Sequence, residues 1–378
     1  MRIALVTEHF DPSSGGAGQW TVSFAKHLLE QGHTVFVVTF WEGHHALSVQ
    51  MTVLPYARFP LTRARRILKC IDDLKPDVVY DGGVGASGNV FHPHAGSLLL
   101  SHKILIARCS KLKRLRTAIS PRGWFFRWSM ARLEHQQAIG AYRIVAVSHR
   151  IGNLLASRHR IPGKRISVIP NGVDTDRFDP MRLAKLREPM RRRLKVSDEV
   201  LFVSIAQNML LKGVDTAIRA IAELVNEGAA TRLVVAGGNA DSFWTGLAAK
   251  HGVASHVHFL KYVADITPIY AAADAIVHPT RWDACSLVTL EGLAAGLPVI
   301  TTTMNGAAEL ISHGSDGLVF SDPEDTIALA SHMRALLDPK ERQVIGARAR
   351  QTATRLTARD NFRAVERILL DAAARNAQ

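Results

Sequence analysis

From Val200 to Thr302 the sequence repeats one pattern: a short run of β-branched and apolar residues, a glycine-bearing turn, then apolar residues spaced three and four apart. The spacing predicts strands at Val200–Ile205, Arg232–Ala236, Val257–Leu260, Ala275–His278 and Val299–Thr302. Helices are predicted between them at Val214–Asn226, Phe243–His251, Asp265–Ala273 and Leu287–Ala295. Uninterrupted apolar strands alternating with amphipathic helices can bury their surfaces only as a parallel sheet covered on both faces. The first half repeats the plan less regularly, with strands at Ile3–Val6, Thr34–Phe40, Asp77–Tyr80, Arg143–Val147 and Ile166–Ile169 and a helix at Gln19–Glu30. The fold expected is α/β, two Rossmann-like domains facing each other across a cleft. The first covers residues 1–168 and is joined by a C-terminal helix over 358–378, whose apolar side needs a surface. The second covers 169–357, and the irregular, then basic, stretch from Pro170 to Lys195 reads as the linker.

A length of 378 residues suits two domains, and 47% hydrophobic with 21% charged residues suits packed cores. No apolar run approaches the roughly 18–20 residues of a membrane span, and MRIALVTEHF is no signal peptide because Glu8, His9 and Asp11 follow its apolar core at once. Cys70, Cys109 and Cys285 form neither a disulfide framework nor a metal pair. These features point to the cytoplasm.

The net charge of +14 sits entirely in one half. Through Val168 there are 23 basic and 9 acidic residues; the remainder has 24 of each. No acid falls between Asp81 and Glu134, whereas Lys103, Arg108, Lys111, Lys113, Arg114, Arg116, Arg122, Arg127 and Arg132 do. Trp124, Phe125, Phe126 and Trp128 interleave with them. Cations beside interfacial aromatics suit an anionic membrane surface, although a solvated basic helix pair is the ordinary source of such a run. Nucleic acid is disfavoured, because no helix-turn-helix, zinc-finger or RNP pattern accompanies the charge.

In doubly wound sheets, ligands bind beyond the carboxyl ends of the strands. There the stretch PTRWDACSLVTLEGLAAGLPVI, residues 279–300, is the most informative. Ser286 is placed to cap a helix whose first free amides, those of Leu287 and Val288, form an anion site suited to a diphosphate. Glu291 lies about one turn further in, where a carboxylate can accept from ribose hydroxyls, and Asp283 precedes the cap, where it can meet sugar hydroxyls. A first-turn Glu and a surface Asp would be the plain alternative.

Asp283 and Glu291, followed by Gly296-Leu297-Pro298-Val299, resemble the E-x7-E signature of family-4 retaining glycosyltransferases, which have the two-domain GT-B fold. The resemblance extends through Gly15-Gly16, Pro170-Asn171-Gly172-Val173-Asp174, Lys212-Gly213-Val214-Asp215 and Val235-Ala236-Gly237-Gly238. His278-Pro279-Thr280 and Asn305-Gly306-Ala307-Ala308-Glu309 are similar to the lipopolysaccharide-core glucosyltransferase branch. The resemblance implies that Glu291 holds the nucleotide ribose, Asp283 the donor sugar, and the Leu287 and Val288 amides the β-phosphate. It implies that Lys212 neutralises the departing diphosphate, that Tyr262 and Val263 lie near the base, and that Gly15-Gly16 lets backbone approach the donor phosphate. His94 takes the place of an acceptor-side catalytic or sugar-contacting residue; a histidine packed on a turn is its plain alternative. No metal or other cofactor is implied, and His92 with His94 has no third ligand in view.

Two positions depart from the pattern: Asp283 stands for a glutamate, and Gln207 for a phosphate-facing arginine. The reaction implied moves a hexose, glucose from UDP-glucose first, to a glycolipid such as lipopolysaccharide core at the inner face of the cytoplasmic membrane. GDP-mannose-dependent transfer, a GT-B nucleotide-sugar 2-epimerase and a non-catalytic sugar-nucleotide-binding subunit are the alternatives. A hydrolase with Asp283 and Glu291 as its acid pair is weaker, and an NAD enzyme would carry GxGxxG directly after the first strand.

Overall fold

The computed structural model describes residues 1–85, 88–108 and 111–376, with the side chains at 111–113 and 118 left out. Cys109 and the side chains of Lys111 and Lys113 therefore lie outside the described residues. The chain divides into two compact units, Met1–Pro170 with Arg359–Gln378, and Asn171–Ala358.

The first unit is built on seven parallel strands: β1 (Arg2–Val6), β2 (Thr34–Thr39), β3 (Gln50–Val53), β4 (Val78–Asp81), β5 (Val90–Phe91), β6 (Arg143–Ala146) and β7 (Ile166–Val168). Their order across the sheet is β3-β2-β1-β4-β5-β6-β7. The register runs Ala4 opposite Phe36 and Val79. Ile3, Leu5, Val37, Val78 and Tyr80 face one core, and Ala4, Val6, Val38 and Val79 face another, which is why these strands carry apolar side chains on both faces. Val365, Leu369 and Ala372 of the helix Ala358–Asn376 are buried in the first of those cores. Burying a leucine or valine is worth about 1.5–3 kcal/mol each.

The second unit repeats the scheme with six parallel strands: β8 (Val200–Ala206), β9 (Thr231–Gly237), β10 (Val257–Leu260), β11 (Ala275–His278), β12 (Val299–Thr302) and β13 (Leu318–Phe320). Their order is β10-β9-β8-β11-β12-β13. In each unit the order turns back beside the first strand, the switch point at which α/β sheets bind ligands. The helix Val214–Asn226 packs its apolar face on this sheet through Ile218 and Ile221.

The expected linker over 170–195 is corrected. Pro180–Leu194 is a helix of the second unit, capped by Asp179 with Pro180 in its first turn. Arg187 and Arg191 both bind Asp274, with Arg191 also donating to the carbonyls of Ser197 and Glu199. Basic residues at such density read as a solvated segment, yet two of them anchor the helix through contacts to distant carboxylate and backbone oxygens. The short strands Gln50–Val53, Val90–Phe91 and Leu318–Phe320 also go beyond the sequence pattern, since each is too short to show a period of its own.

Candidate active site

In a parallel sheet every strand ends at the same edge, so the loops after β8, β10, β11 and β12 gather there. The loop after β11 carries Asp283. Its amide donates to Met304 O at 3.1 Å, and its carbonyl accepts from Gly306 N at 3.0 Å, so the acid is fixed from both sides by the turn after β12. Asn305 completes that clamp. Its Oδ1 accepts from Ser286 N (3.1 Å) and Ala307 N (3.0 Å), while Nδ2 donates to Thr289 Oγ1 (2.8 Å) and Thr301 Oγ1 (3.1 Å).

Ser286 caps the helix Leu287–Ala294, its hydroxyl accepting from Thr289 N at 3.3 Å. The preceding amides, those of Leu287 and Val288, have no intrahelical acceptor, as at any helix start, and carry the positive end of the helix dipole. Both residues are half-buried.

Lys212 comes from the turn after β8. Gly213, at φ +72°, lets that turn approach Pro279; a side chain there would meet the Pro279 carbonyl at 2.0 Å. Thr280 Oγ1 and Arg281 N donate to Leu211 O at 3.1 and 2.8 Å, and the Arg281 guanidinium donates to Leu210 O. The buried Arg281 also forks Asp215 with two 2.8 Å bonds and pairs with Glu324. These contacts lock the Lys212 turn to the Asp283 loop, and Lys212 Nζ forms an ion pair with Asp283 Oδ2. The same oxygen lies 3.2 Å from His278 Nε2. Burial alone would raise the Asp283 pKa, but Lys212 and His278 hold it well below the ordinary carboxylate range. His278 is fully buried, which lowers its own pKa despite the acid. It is therefore neutral and donates through Nε2 to an ionised Asp283.

Glu291, also buried, accepts from the Tyr270 hydroxyl at 2.7 Å. Burial pushes its pKa up to about 7, with Tyr270 and Arg177 working in the opposite direction. Cys285, near the helix start, is pushed by burial up to about 12, so it offers no nucleophile at neutral pH. Gln207 and Tyr262 are exposed and Val263 half-buried on the loops beyond β8 and β10.

In the first unit, Gly15 adopts φ +118° and starts the helix Gly16–Glu30. Trp20 of that helix meets the His94 ring at 4.5 Å. The buried Tyr80 hydroxyl lies 2.7 Å from His94 Nε2 and 2.9 Å from His92 Nδ1. Burial lowers the His94 pKa to about 3, so the ring is a neutral hydrogen-bonding group and not a stored proton.

Lys212, Asp283 and the start of the Leu287 helix are thus brought together within the second unit. Tyr270, His278, Arg281 and Asn305, which orient them, were not assigned such roles from sequence. Asn305-Gly306 directly after a strand was the available signal for one of them; the others required the tertiary contacts. The expected basic segment forms the helices Leu98–Ala107, Lys111–Ile119 and Pro121–Gly140. Lys103, Arg108, Arg114, Arg116 and Arg122 are exposed there, as are Trp124 (59%), Phe125 and Trp128 (45%). Arg127 turns back, donating to Thr117 O at 2.8 Å. Among the described residues no helix is long and apolar enough to cross a membrane.

The family model described as Glycosyltransferase Family 4 matches residues 14–177, and that described as Glycosyl transferases group 1 matches residues 197–339. The chain is 33% identical over 162 residues to the lipopolysaccharide glucosyltransferase WaaG of Escherichia coli (strain K12), a match spanning 42% of this chain and 43% of that protein. It is 28% identical over 383 residues to a GDP-mannose-dependent alpha-(1-6)-phosphatidylinositol monomannoside mannosyltransferase of Mycobacterium tuberculosis, spanning 93% of this chain and 94% of that one. The crystal structure of WaaG superimposes with a TM-score of 0.80 at 22% identity, covering 97% of this chain and 99% of the other. One model over each unit, on this pair of parallel sheets, makes the chain a member of the family-4 glycosyltransferases with the GT-B fold.

Proposed function

We propose that this glycosyltransferase moves a hexose, glucose from UDP-glucose, to a glycolipid acceptor such as lipopolysaccharide core, with retention at the anomeric carbon. The observation that carries the donor assignment is the Lys212–Asp283–His278 cluster beside the start of the Leu287 helix. The diphosphate rests on the Leu287 and Val288 amides with Lys212 opposing its charge. Asp283, kept ionised, accepts from sugar hydroxyls, and Glu291 accepts from the ribose. Transfer then depends on positioning and on stabilising the charge that develops on the leaving diphosphate. The acceptor hydroxyl attacks from the face the diphosphate leaves. The new glycosidic bond forms as the old one breaks, and the acceptor's proton passes to a phosphate oxygen.

A hydrolytic acid pair fits less well, because Asp283 is tied up by Lys212 and His278 and so is not a free nucleophile or base beside Glu291. A mannosyl donor is the second reading, favoured by the near full-length match to the GDP-mannose-dependent relative.

The donor is tested by a thermal-shift screen of UDP-, GDP- and ADP-sugars. A ligand held by the native state alone adds about 2.7 kcal/mol of stability at a hundred times its Kd. UDP-glucose is expected to give the largest rise in Tm; a larger rise with GDP-mannose supports the second reading, and no rise with any sugar nucleotide refutes the assignment.

The acceptor side is proposed to work at an anionic membrane surface, peripheral and on the cytoplasmic face. The exposed aromatics and cations of Pro121–Gly140 and its neighbours support this, each Lys or Arg near such a surface contributing about 1 kcal/mol. In sedimentation with liposomes, the protein is expected to pellet with phosphatidylglycerol-containing vesicles, to stay in solution with phosphatidylcholine alone, and to be released by salt. Replacing Trp124 and Trp128 by alanine should weaken pelleting. Equal behaviour with both lipids would remove the membrane reading.

A further inference from the structure

The carboxyl ends of β1, β2 and β3 carry an aromatic group to which neither the donor site nor the basic segment assigns a role. A short parallel pairing sets His9–Phe10 beside Trp41–Glu42, with His9 opposite Trp41. The two rings stack at 4.7 Å and 10°. Tyr56, just beyond β3, approaches Trp41 to 4.3 Å at 42°. Trp41 N and Thr39 Oγ1 both donate to Glu8 O, at 3.2 and 3.1 Å, and Arg63 pairs with Glu8 while lying 5.2 Å over the Tyr56 ring.

The group is ordered but not covered: Trp41 is 38% exposed and Tyr56 48%. Large aromatics held by this many contacts and still left facing water mark a binding surface. His45 gives a second, independent observation. Its side chain is only 7% exposed and packs edge-on against Phe10 at 4.9 Å, yet neither ring nitrogen has a hydrogen-bond partner, and Glu42 Oε1 lies 3.7 Å away. Buried polar groups are ordinarily satisfied, so His45 holds unused hydrogen-bonding capacity against Phe10, in the strap that follows Trp41.

The geometry points to a saccharide-binding subsite, in which a pyranose ring lays its C–H face against the Trp41–Tyr56 surface. The rim decides the chemistry. Glu8 precedes His9 and Glu42 follows Trp41 in the chain, Arg63 pairs with Glu8 over the Tyr56 ring, and Arg66 donates to the Pro55 and Tyr56 carbonyls. Carboxylates and guanidinium groups both hydrogen bond sugar hydroxyls, and with Glu8 already neutralised by Arg63 this rim lacks the surplus of cations that suits the basic segment to anionic headgroups. The ligand is therefore an uncharged, hydroxyl-rich glycan. Its position also suits a glycolipid. Phe59, three residues after Tyr56 in the chain, meets Phe125 edge-on at 5.0 Å, and Phe125 meets Trp128 at 5.6 Å, so the segment that carries Tyr56 packs against the one proposed to meet the membrane. The subsite deepens the proposed transfer by naming where the acceptor's sugar rests, and it depends on that reading for its purpose.

The test uses the full chain without donor, on an array of lipid-free microbial oligosaccharides, neutral and anionic, with hits titrated by tryptophan fluorescence. At least one neutral oligosaccharide is expected to bind. Trp41→Ala and Tyr56→Ala should each weaken it roughly tenfold, the size of one lost stacking contact, and Trp41→Phe should restore much of the affinity. Because Trp41 is exposed, an unchanged Tm would show that the variant folds. Failure of the wild type to bind any glycan, or binding indifferent to Trp41→Ala, overturns the subsite. So does a Trp41→Ala variant that loses pelleting with phosphatidylglycerol vesicles while keeping its glycan, which would assign the rings to the membrane face. Nucleotide-sugar thermal shifts run alongside separate the two readings. A normal donor shift with no glycan bound defeats the subsite alone, and no donor shift defeats the transfer reading.

Discussion

Lys212→Ala is expected to lower turnover by about 10²–10³-fold, the usual cost of losing one preorganised group that stabilises developing charge. The reason lies in how rigidly the lysine is presented. Its turn is held against the Asp283 loop by Thr280, by Arg281 and by the close approach at Gly213, so the backbone that carries the lysine is fixed before any ligand arrives. In the free protein that charge is opposed by Asp283. Removing the lysine also leaves Asp283 with His278 as its partner, so the carboxyl should titrate closer to the ordinary range. The measurement is nucleoside-diphosphate release under saturating donor, with a thermal melt to confirm folding. Turnover within a few-fold of wild type in a folded variant would remove Lys212 from the mechanism.

Glu291→Gln is expected to make the protein more stable at pH 8 and nearly inactive. The carboxyl binds its proton more tightly folded, with a pKa of about 7, than unfolded, where the ordinary value is 4.5. Below 4.5 both states hold the proton and nothing is lost. As pH rises from there, the unfolded chain ionises first and stability falls, until above about 7 the full penalty is present. That penalty is about 3 kcal/mol, and glutamine does not incur it. The variant's Tm should therefore exceed wild type at pH 8, with the difference fading toward pH 4.5. Activity should move the other way. A charged acceptor for hydroxyls contributes about 1.5–3 kcal/mol per bond, so donor affinity should fall roughly ten- to a hundredfold. For wild type, donor affinity should weaken as pH drops through 7. A variant with wild-type donor affinity, or one no more stable at pH 8, would sink the assignment of Glu291 as a buried ribose acceptor. Such a gain in stability on losing a functional group is what a site holding a desolvated charge should show.

The local geometry of the candidate donor site was largely legible because its parts lie close together in the chain. Ser286, the amides after it and Glu291 belong to one cap and one helix, and local geometry fixes their relation. The strands of the second unit were equally legible, since each is buried on both faces and has to be apolar throughout. Less legible were elements whose sequence serves a distant partner. The helix Pro180–Leu194 looked like a basic linker because Arg187 and Arg191 are spent on Asp274, more than eighty residues away. Nothing in the sequence around Tyr270 points to Glu291; the fold alone sets its hydroxyl on that carboxylate.

By itself the sequence determined the two parallel sheets, the family signature and the identity of the charged groups, because hydrophobic periodicity and helix capping are properties of neighbouring residues. Only the tertiary structure decided which protonation states those groups hold. Asp283 is ionised because Lys212 and His278 converge on it, Glu291 is raised because it is buried, and His94 is neutral for the same reason. Desolvation and through-space charge depend on what the fold brings within a few ångströms, and positions along the chain do not contain that information.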